Sequence, residues 1–360
     1  MTDPDGHGPQ AATGDDRNGG AGAERSPFDV RKRTPVQHIQ HFLHANPAAV
    51  PMIVVVVSVA VFAATIGPKF YSAFTLTLIL QQVAITGIVS AGQTLIILTA
   101  GIDLSVGSIM VLSSVVMGQC AMHYGFPGFL AVIAGLAAGG VCGLINGLLV
   151  SMVKLPPFIV TLGTWSIFGA VTFIYSGNET VRSQDIDRVA PIMHFFGNSF
   201  RVGHAVFTYG VILMVALSAL LWFALNKTAW GRHVYAVGDD KNAAMLAGIR
   251  TDRVLISVYV VTGLICGLAG WALIGRIGSV SPQAGQLENI NAITAVVIGG
   301  TSLFGGRGSI LGTLFGALIV GVFSLGLRLL GTDPQWTQLT VGALIIIAVA
   351  TDQWIRKVSA

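Results

Sequence analysis

Two kinds of side chain in the apolar stretches of this sequence offer chemistry: neutral hydrogen-bonding groups and a carboxylate. Glutamine, asparagine and threonine donate and accept hydrogen bonds without carrying charge, which suits contact with a neutral polyhydroxyl solute. The alternative is that these groups join neighbouring helices to one another. The neutral side chains that we select as candidates for a solute pathway are Gln81, Gln82, Gln93, Asn146, Thr161, Thr164 and Asn291.

The carboxylate is Asp103, in the stretch AGIDLSVG at residues 100–107, and it is the one acidic residue within the apolar stretches of the first half. A carboxylate deep in a bilayer costs on the order of 3 kcal/mol and usually has a function. Asp103 also precedes a predicted helix, where it can cap the first turn at shallow depth. We favour the cap, and a place in the wall of a solute pathway is compatible with it.

The sequence contains no pattern that supports catalysis or a resident cofactor. A P-loop needs a lysine directly after a glycine, and none of the six lysines follows one. His38, His41 and His44 repeat at every third residue, but VQHIQHFLH is typical of an amphipathic helix lying at a membrane surface. We therefore expect a protein that is not an enzyme and that binds neither a metal nor a cofactor itself.

One long polar segment, residues 226–253, interrupts the apolar part of the chain and is rich in lysine and arginine. Within it, Asp239 or Asp240 is placed to cap a short helix, KNAAMLA, that Gly248 would end. An exposed helix with apolar residues flanked by cations is typical of a docking element, and an ordinary solvated connector is the alternative. The residues that we assign to this docking element are Asp240, Ala243, Ala244, Met245, Leu246 and Gly248.

The composition places the chain among membrane proteins. It is 53% hydrophobic and 10% charged, whereas soluble domains are about 25% charged. The net charge of +4 does not indicate a nucleic-acid partner, because the cations lie between apolar stretches, where they set orientation in the membrane. The three cysteines lie within apolar stretches and are expected to be free, buried thiols.

We predict an all-α integral membrane protein of about ten transmembrane helices, at residues 50–66, 74–99, 104–122, 127–150, 157–176, 206–225, 254–275, 290–304, 309–330 and 336–355. With a cytoplasmic N-terminus, fourteen lysines and arginines fall inside and six outside, so both termini are predicted to be cytoplasmic. Residues 1–35 are predicted to be a disordered cytoplasmic tail, 36–47 a helix at the membrane surface and 48–356 the membrane domain.

Glycines mark two further features. Gly135, Gly139, Gly143 and Gly147 recur at every fourth residue, which predicts a helix that packs closely against another.

The second feature is a pair of broken or re-entrant segments. Residues 74–103 are too long for one straight span and are expected to be interrupted at Gly87, Gly92 and Gly101, while 290–304 is short and runs into a glycine-rich turn. Such segments in the two halves of a chain point to a transport pathway.

In the predicted outer loop, Arg182, Asp185 and Arg188 alternate in sign at helical spacing. This pattern predicts a solvated helix face. The alternative is that this loop binds a partner on the outer side of the membrane.

Four stretches together resemble the permease subunits of bacterial ABC importers for monosaccharides, of the ribose, xylose and galactose type. They are AGIDLSVGSIM at 100–110, NGLLVSMVKLPPFIVTLGT at 146–164, GRHVYAVGDDKNAAMLAGI at 231–249 and NAITAVVIGGTSLFGGRGSILGTLFGALIVG at 291–321. The resemblance covers about residues 50–355. The segment 231–249 matches the part of the family that contacts the ATPase.

The resemblance implies a multi-pass protein of the bacterial inner membrane that works as a homodimer, surrounded by membrane lipid. The implied partners are two copies of a cytosolic ABC ATPase, which binds the ATP, and a periplasmic sugar-binding protein. The sugar it favours is fructose, with ribose or mannose as alternatives. Asn291 follows Glu288 where the family commonly has a further acidic residue, which puts that position's role in doubt.

Two other classes of protein remain open on the residues alone. An ion-coupled secondary sugar transporter would need a coupling-ion site, for which Asp103 is the candidate. A membrane receptor or scaffold would use the same polar groups to join helices without moving a solute.

Overall fold

The computed structural model describes residues 48–359. The predicted tail and surface helix, with His38, His41 and His44, lie outside these residues. The described part is built from helices, because long apolar stretches in a membrane can satisfy their backbone groups only within the helix itself.

The helices are α1 (Ala49–Ile66), α2 (Ala73–Leu98), α3 (Val106–Met122), α4 (Gly128–Ser151), α5 (Pro157–Ser176), α6 (Ser183–Val189), α7 (Tyr209–Lys227), α8 (Ala229–Asp239), α9 (Lys241–Leu246), α10 (Thr251–Ile277), α11 (Glu288–Ile298), α12 (Ile310–Leu329) and α13 (Pro334–Ser359). Short 3₁₀ segments lie at Gly67–Lys69 and Pro191–Gly197. An antiparallel hairpin, β1 (Ser199–Val202) with β2 (Ala205–Thr208), precedes α7 and pairs Ser199 with Thr208.

The predicted all-α class is confirmed, and each of the ten predicted spans coincides with a helix. Among residues 48–359, seven helices are long and apolar enough to cross a membrane. They are α1, α2, α4, α5, α7, α10 and α12. Shorter apolar helices cover Val106–Met122, Glu288–Ile298 and Gln335–Ile347. The shortness of α11 confirms that the 290–304 segment is no ordinary span.

The closest helix packing joins α4 to α10, backbone against backbone. A Cβ atom on Gly139 would overlap the carbonyl oxygen of Gly263, and one on Gly143 would overlap that of Tyr259. Reciprocally, a Cβ on Gly263 would overlap the Gly139 carbonyl oxygen. The predicted close packing through glycines is therefore confirmed.

The expected interruptions at Gly87 and Gly92 are wrong, because α2 runs unbroken through both residues. These glycines instead make room for side chains of other helices: Gly87 lies against Met214 and Gly92 against Thr262. The chain breaks after Leu98, in a turn at residues 99–105 that includes Gly101.

Contacts between loops define the two ends of the bundle. At one end, which we call the α8–α9 end, the Gly306 amide donates to the Leu98 carbonyl at 3.0 Å, and Gly238 of α8 lies against both residues. At the other, the hairpin end, Val181 and Val280 pair through their backbones, and Gln81 contacts β2. The exposed face of α6, with Arg182 just before it, lies in this second set of loops.

The close contact of α4 and α10 predicts a large cost for even one added methyl group. We expect Gly143→Ala to destabilise the folded protein by about 1–3 kcal/mol, because the new Cβ would overlap the Tyr259 backbone. Thermal unfolding of the purified protein in detergent measures the change.

Gly342→Ala is the matched control, since Gly342 lies in α13 with no atom within 4 Å of the added Cβ. Equal melting temperatures for the two variants would contradict the packing argument.

Candidate functional site

The predicted short helix in the polar segment is α9, and its capping is as expected. Asp240 accepts hydrogen bonds from the amides of Asn242 at 2.8 Å and Ala243 at 3.0 Å. Gly248, with a φ of 85°, ends the turn that follows the helix in a left-handed conformation that favours glycine. The capped turn holds α9 in a fixed position beside α8.

The apolar residues of α9 divide between an outer and an inner side. Leu246 is 86% exposed and Met245 58% exposed, so both are available to a partner. Ala244 is only 4% exposed and packs into the hydrophobic core. Its assignment to the docking surface is therefore wrong: Ala243 remains on the surface, while Ala244 fixes the helix to the bundle.

Helix α8 connects this surface to the turns at residues 99–105 and 299–309. Tyr235 donates a hydrogen bond from its hydroxyl to the Gly308 carbonyl at 3.0 Å, and burial raises the pKa of this phenol, which keeps the donor protonated. The Trp230 indole donates to the Ser257 hydroxyl of α10 at 2.8 Å. Gly238, near the end of α8, lies against the end of α2 and the 299–309 turn. Helix α8 therefore lies in contact with α10, with the end of α2 and with the 299–309 turn.

The turn at 99–105 is held by a buried polar cluster, Asp103, Ser105, Asn146 and Thr161. The Asp103 carboxylate accepts hydrogen bonds from the amide and the hydroxyl of Ser105, both at 2.6 Å. The Asn146 amide donates to the Ser105 hydroxyl at 2.8 Å, and the Thr161 hydroxyl donates to the Ile102 carbonyl at 3.0 Å. The cluster thereby joins the turn to α4 and α5.

The shallow helix cap expected of Asp103 is wrong. Asp103 is 1% exposed, and it binds the amide of Ser105, which precedes the first residue of α3, so it shapes the turn before the helix. The Gln93 amide, oriented to match its neighbours, pairs with the backbone N–H and C=O of Asp103 at 3.2 Å each. Because Gln93 lies more than a turn before the end of α2, α3 begins inside the bundle rather than at its end.

A second carboxylate in the bundle, the half-buried Glu288, was not selected as a candidate by the sequence analysis. It opens α11 and accepts a hydrogen bond from the Thr86 hydroxyl at 2.9 Å, halfway along α2. The neighbouring Asn289 amide donates to the Leu104 carbonyl at 3.2 Å. The available signal was an acidic residue directly before the shortest apolar stretch. The N-terminal ends of α3 and α11 thus meet in the interior of the bundle.

The eight pathway candidates fall into separate places. Gln93, Asp103, Asn146 and Thr161 surround the 99–105 turn and are buried, as is Thr164. Gln81 donates to the Val206 carbonyl at 2.7 Å, and the Gln82 carbonyl accepts from Arg276 at 3.4 Å, both at the hairpin end. Asn291 is half-buried in α11. The buried members hold helices together here, and their contact with a solute stays a prediction.

A cavity of about 400 Å³ lies between α3, α5 and the segment 282–287. None of the eight candidates lines it, although Gln81 lines a smaller cavity of about 130 Å³ beside Arg276. The residues that line the larger cavity include Ser108, Trp165 and Gln286. Sequence reasoning missed them because the three segments that meet there are far apart in the chain.

Among the described residues, no group of three His, Cys, Asp or Glu side chains is arranged to hold a metal ion. Cys120, Cys142 and Cys266 are free and buried, as predicted.

Comparison with known proteins agrees with this architecture. A model of the family described as branched-chain amino acid transport system / permease component matches residues 75–349. The chain is 69% identical to the fructose import permease protein FrcC of Rhizobium meliloti over 92% of each chain. It is 40% identical to the ribose import permease protein RbsC of Bacillus subtilis (strain 168), covering 86% of this chain and 91% of that one.

The chain is also 36% identical to the D-allose transport system permease protein AlsC of Escherichia coli (strain K12), covering 84% of this chain and 91% of that one. No solved structure matches. The family model spans most of the chain, and the relatives are covered almost from end to end, so the resemblance seen in the sequence is confirmed. The chain belongs to this family of permease components of ABC importers.

Proposed function

We propose that this chain is the membrane-spanning subunit that imports a monosaccharide, fructose, across the bacterial inner membrane while a separate subunit hydrolyses ATP. The substrate is supported by the 69% identity to a fructose import permease, with ribose and mannose as the alternatives that the experiment must exclude. The observation that carries the proposal is the docking surface, formed by the exposed Met245 and Leu246 of α9. The neighbouring helix α8 contacts the end of α2 and the 299–309 turn.

The mechanism follows from those contacts. The ATPase binds the docking surface and moves α9 when it binds and hydrolyses ATP. Because α8 contacts the end of α2 and the 299–309 turn, the movement reaches the turns that precede α3 and α12. Rocking of these elements alternates access to the interior between the two sides of the membrane. The chain supplies no ATP chemistry of its own, and ATP is bound by the partner.

The remaining partners follow from the surfaces that the structure leaves uncovered. We assign a second permease copy and membrane lipid to the apolar helix faces, such as the exposed Val56 and Ile174. We assign the periplasmic sugar-binding protein to the hairpin end, where Asp185 and Arg188 are exposed. Both chain termini and α9 then lie in the cytoplasm.

Reconstituted transport tests the substrate and the energy source together. In liposomes that hold the permease, with the ATPase and ATP inside and the sugar-binding protein outside, we expect labelled fructose to accumulate. Excess unlabelled fructose should compete, and ribose or mannose should not. Dissipating ion gradients should leave uptake unchanged.

Uptake without ATP that collapses with an ion gradient would instead identify a secondary transporter. Failure to accumulate fructose, ribose or mannose with all partners intact would indicate a receptor or scaffold.

The docking surface predicts the effect of a single charge. Leu246→Glu should weaken binding of the ATPase by at least about 30-fold, since loss of a central apolar contact costs about 2 kcal/mol or more. Co-purification of the ATPase with the permease measures the loss. Ala244→Glu is unsuitable for this test, because it would place a charge in the core.

Val202→Glu is the matched control, because Val202 is a 60% exposed apolar residue at the hairpin end. Full retention of the ATPase by Leu246→Glu would rule out α9 as the docking surface.

Cysteine labelling tests the orientation. The three native cysteines are buried, so a membrane-impermeant maleimide should react with them little. We expect Asp185→Cys to be labelled in spheroplasts and Lys241→Cys only in inside-out vesicles. The reverse pattern would place α9 outside and defeat the proposed mechanism.

A further inference from the structure

The larger cavity is lined in part by glycines, which have no side chain to occupy it. Gly107, Gly169 and Gly285 contribute to its wall. A Cβ atom on Gly169 would find only the Ser108 hydroxyl, at 3.8 Å. The volume of about 400 Å³ falls within the range of about 300–1,000 Å³ that is typical of small-molecule sites.

The lining of the cavity is one aromatic face with neutral polar groups around it. Trp165 is 40% exposed, and its carbonyl accepts a hydrogen bond from the Ser108 hydroxyl at 3.1 Å, which ties α3 to α5. Ser166 and Gln286 are exposed polar residues in the same wall. The lining residues that the structure describes carry no charge. A pyranose or furanose ring has an apolar C–H face and a rim of hydroxyl groups, and this lining complements both.

The floor of the cavity is the place where the two broken segments meet. Gly107 lies in the first turn of α3, and Leu287 directly precedes α11. The 99–105 turn leads into α3 and also lies against the loop that contacts α8. A continuous series of contacts therefore joins α8, next to the docking surface, to the floor of the cavity.

We propose that this cavity, with Trp165 as its stacking surface and Ser108, Ser166 and Gln286 as its hydrogen-bonding rim, is the site that holds the sugar during passage through the permease. The inference rests on the proposed function and assigns its substrate site. The pathway then runs beside α5, while the buried Asp103 cluster supports it from behind.

Two substitutions in the cavity and two matched controls test the site in the reconstituted importer. Gly169→Leu places a bulky side chain in the cavity and Trp165→Ala removes the stacking surface, so each should lower fructose uptake at least about tenfold. Gly163→Leu adds the same side chain to α5 where no atom lies within 4 Å of its Cβ, and Trp222→Ala removes a similarly exposed indole from α7. Both controls should keep normal uptake. All four variants should retain the ATPase on co-purification.

A labelling experiment reports on binding without relying on uptake. Fructose, delivered with the sugar-binding protein, should slow maleimide labelling of Ser166→Cys and leave labelling of Gly163→Cys unchanged. No protection at Ser166→Cys, or equal uptake by the cavity variants and their controls, would overturn the site while the proposed function stands. If the unaltered importer accumulates no fructose, the proposed function fails first.

Discussion

The turn at residues 99–105 is possible only because side chains satisfy its backbone. The interior of a membrane protein offers little water to an irregular segment, so each exposed N–H or C=O needs a partner from the chain. The Asp103 carboxylate accepts a hydrogen bond from the Ser105 amide, and the Thr161 hydroxyl donates one to the Ile102 carbonyl. The Gln93 side-chain amide pairs with the backbone N–H and C=O of Asp103. With these bonds in place, the chain can turn back from the end of α2, and α3 can start within the bundle.

The other features of the site depend on that early start. Because α3 begins deep in the bundle, its first turn meets the first turn of α11, where Asn289 donates to the Leu104 carbonyl. The space beside this meeting point, bounded by α5 and the 282–287 segment, is the cavity. Helix α8, resting on the end of α2, connects this arrangement to α9, which carries the proposed docking surface.

The features that sequence analysis predicted are those that depend on one segment at a time. Spans follow from the length of apolar stretches, and the cap of α9 follows from Asp240 and Gly248.

Features that depend on how segments meet were missed or wrong. Gly87 and Gly92 suggested breaks because glycine weakens helices in water, whereas here they admit Met214 and Thr262 from other helices. Ala244 looked like a surface residue because a six-residue helix gives too little periodicity to tell its two sides apart. Trp165 and Gln286 come together only when α5 and the segment before α11 are placed side by side.

The small size of α9 has a consequence for how such importers diversify. Its attachment depends on the Asp240 cap and the buried Ala244, whereas Met245 and Leu246 face outward and support nothing else in the described chain. Neither side chain packs in the hydrophobic core or lines the cavity. Under the proposed function, the residues that contact the ATPase and those that contact the sugar are therefore separate sets, so a duplicated permease can acquire a new sugar while keeping the ATPase of its parent.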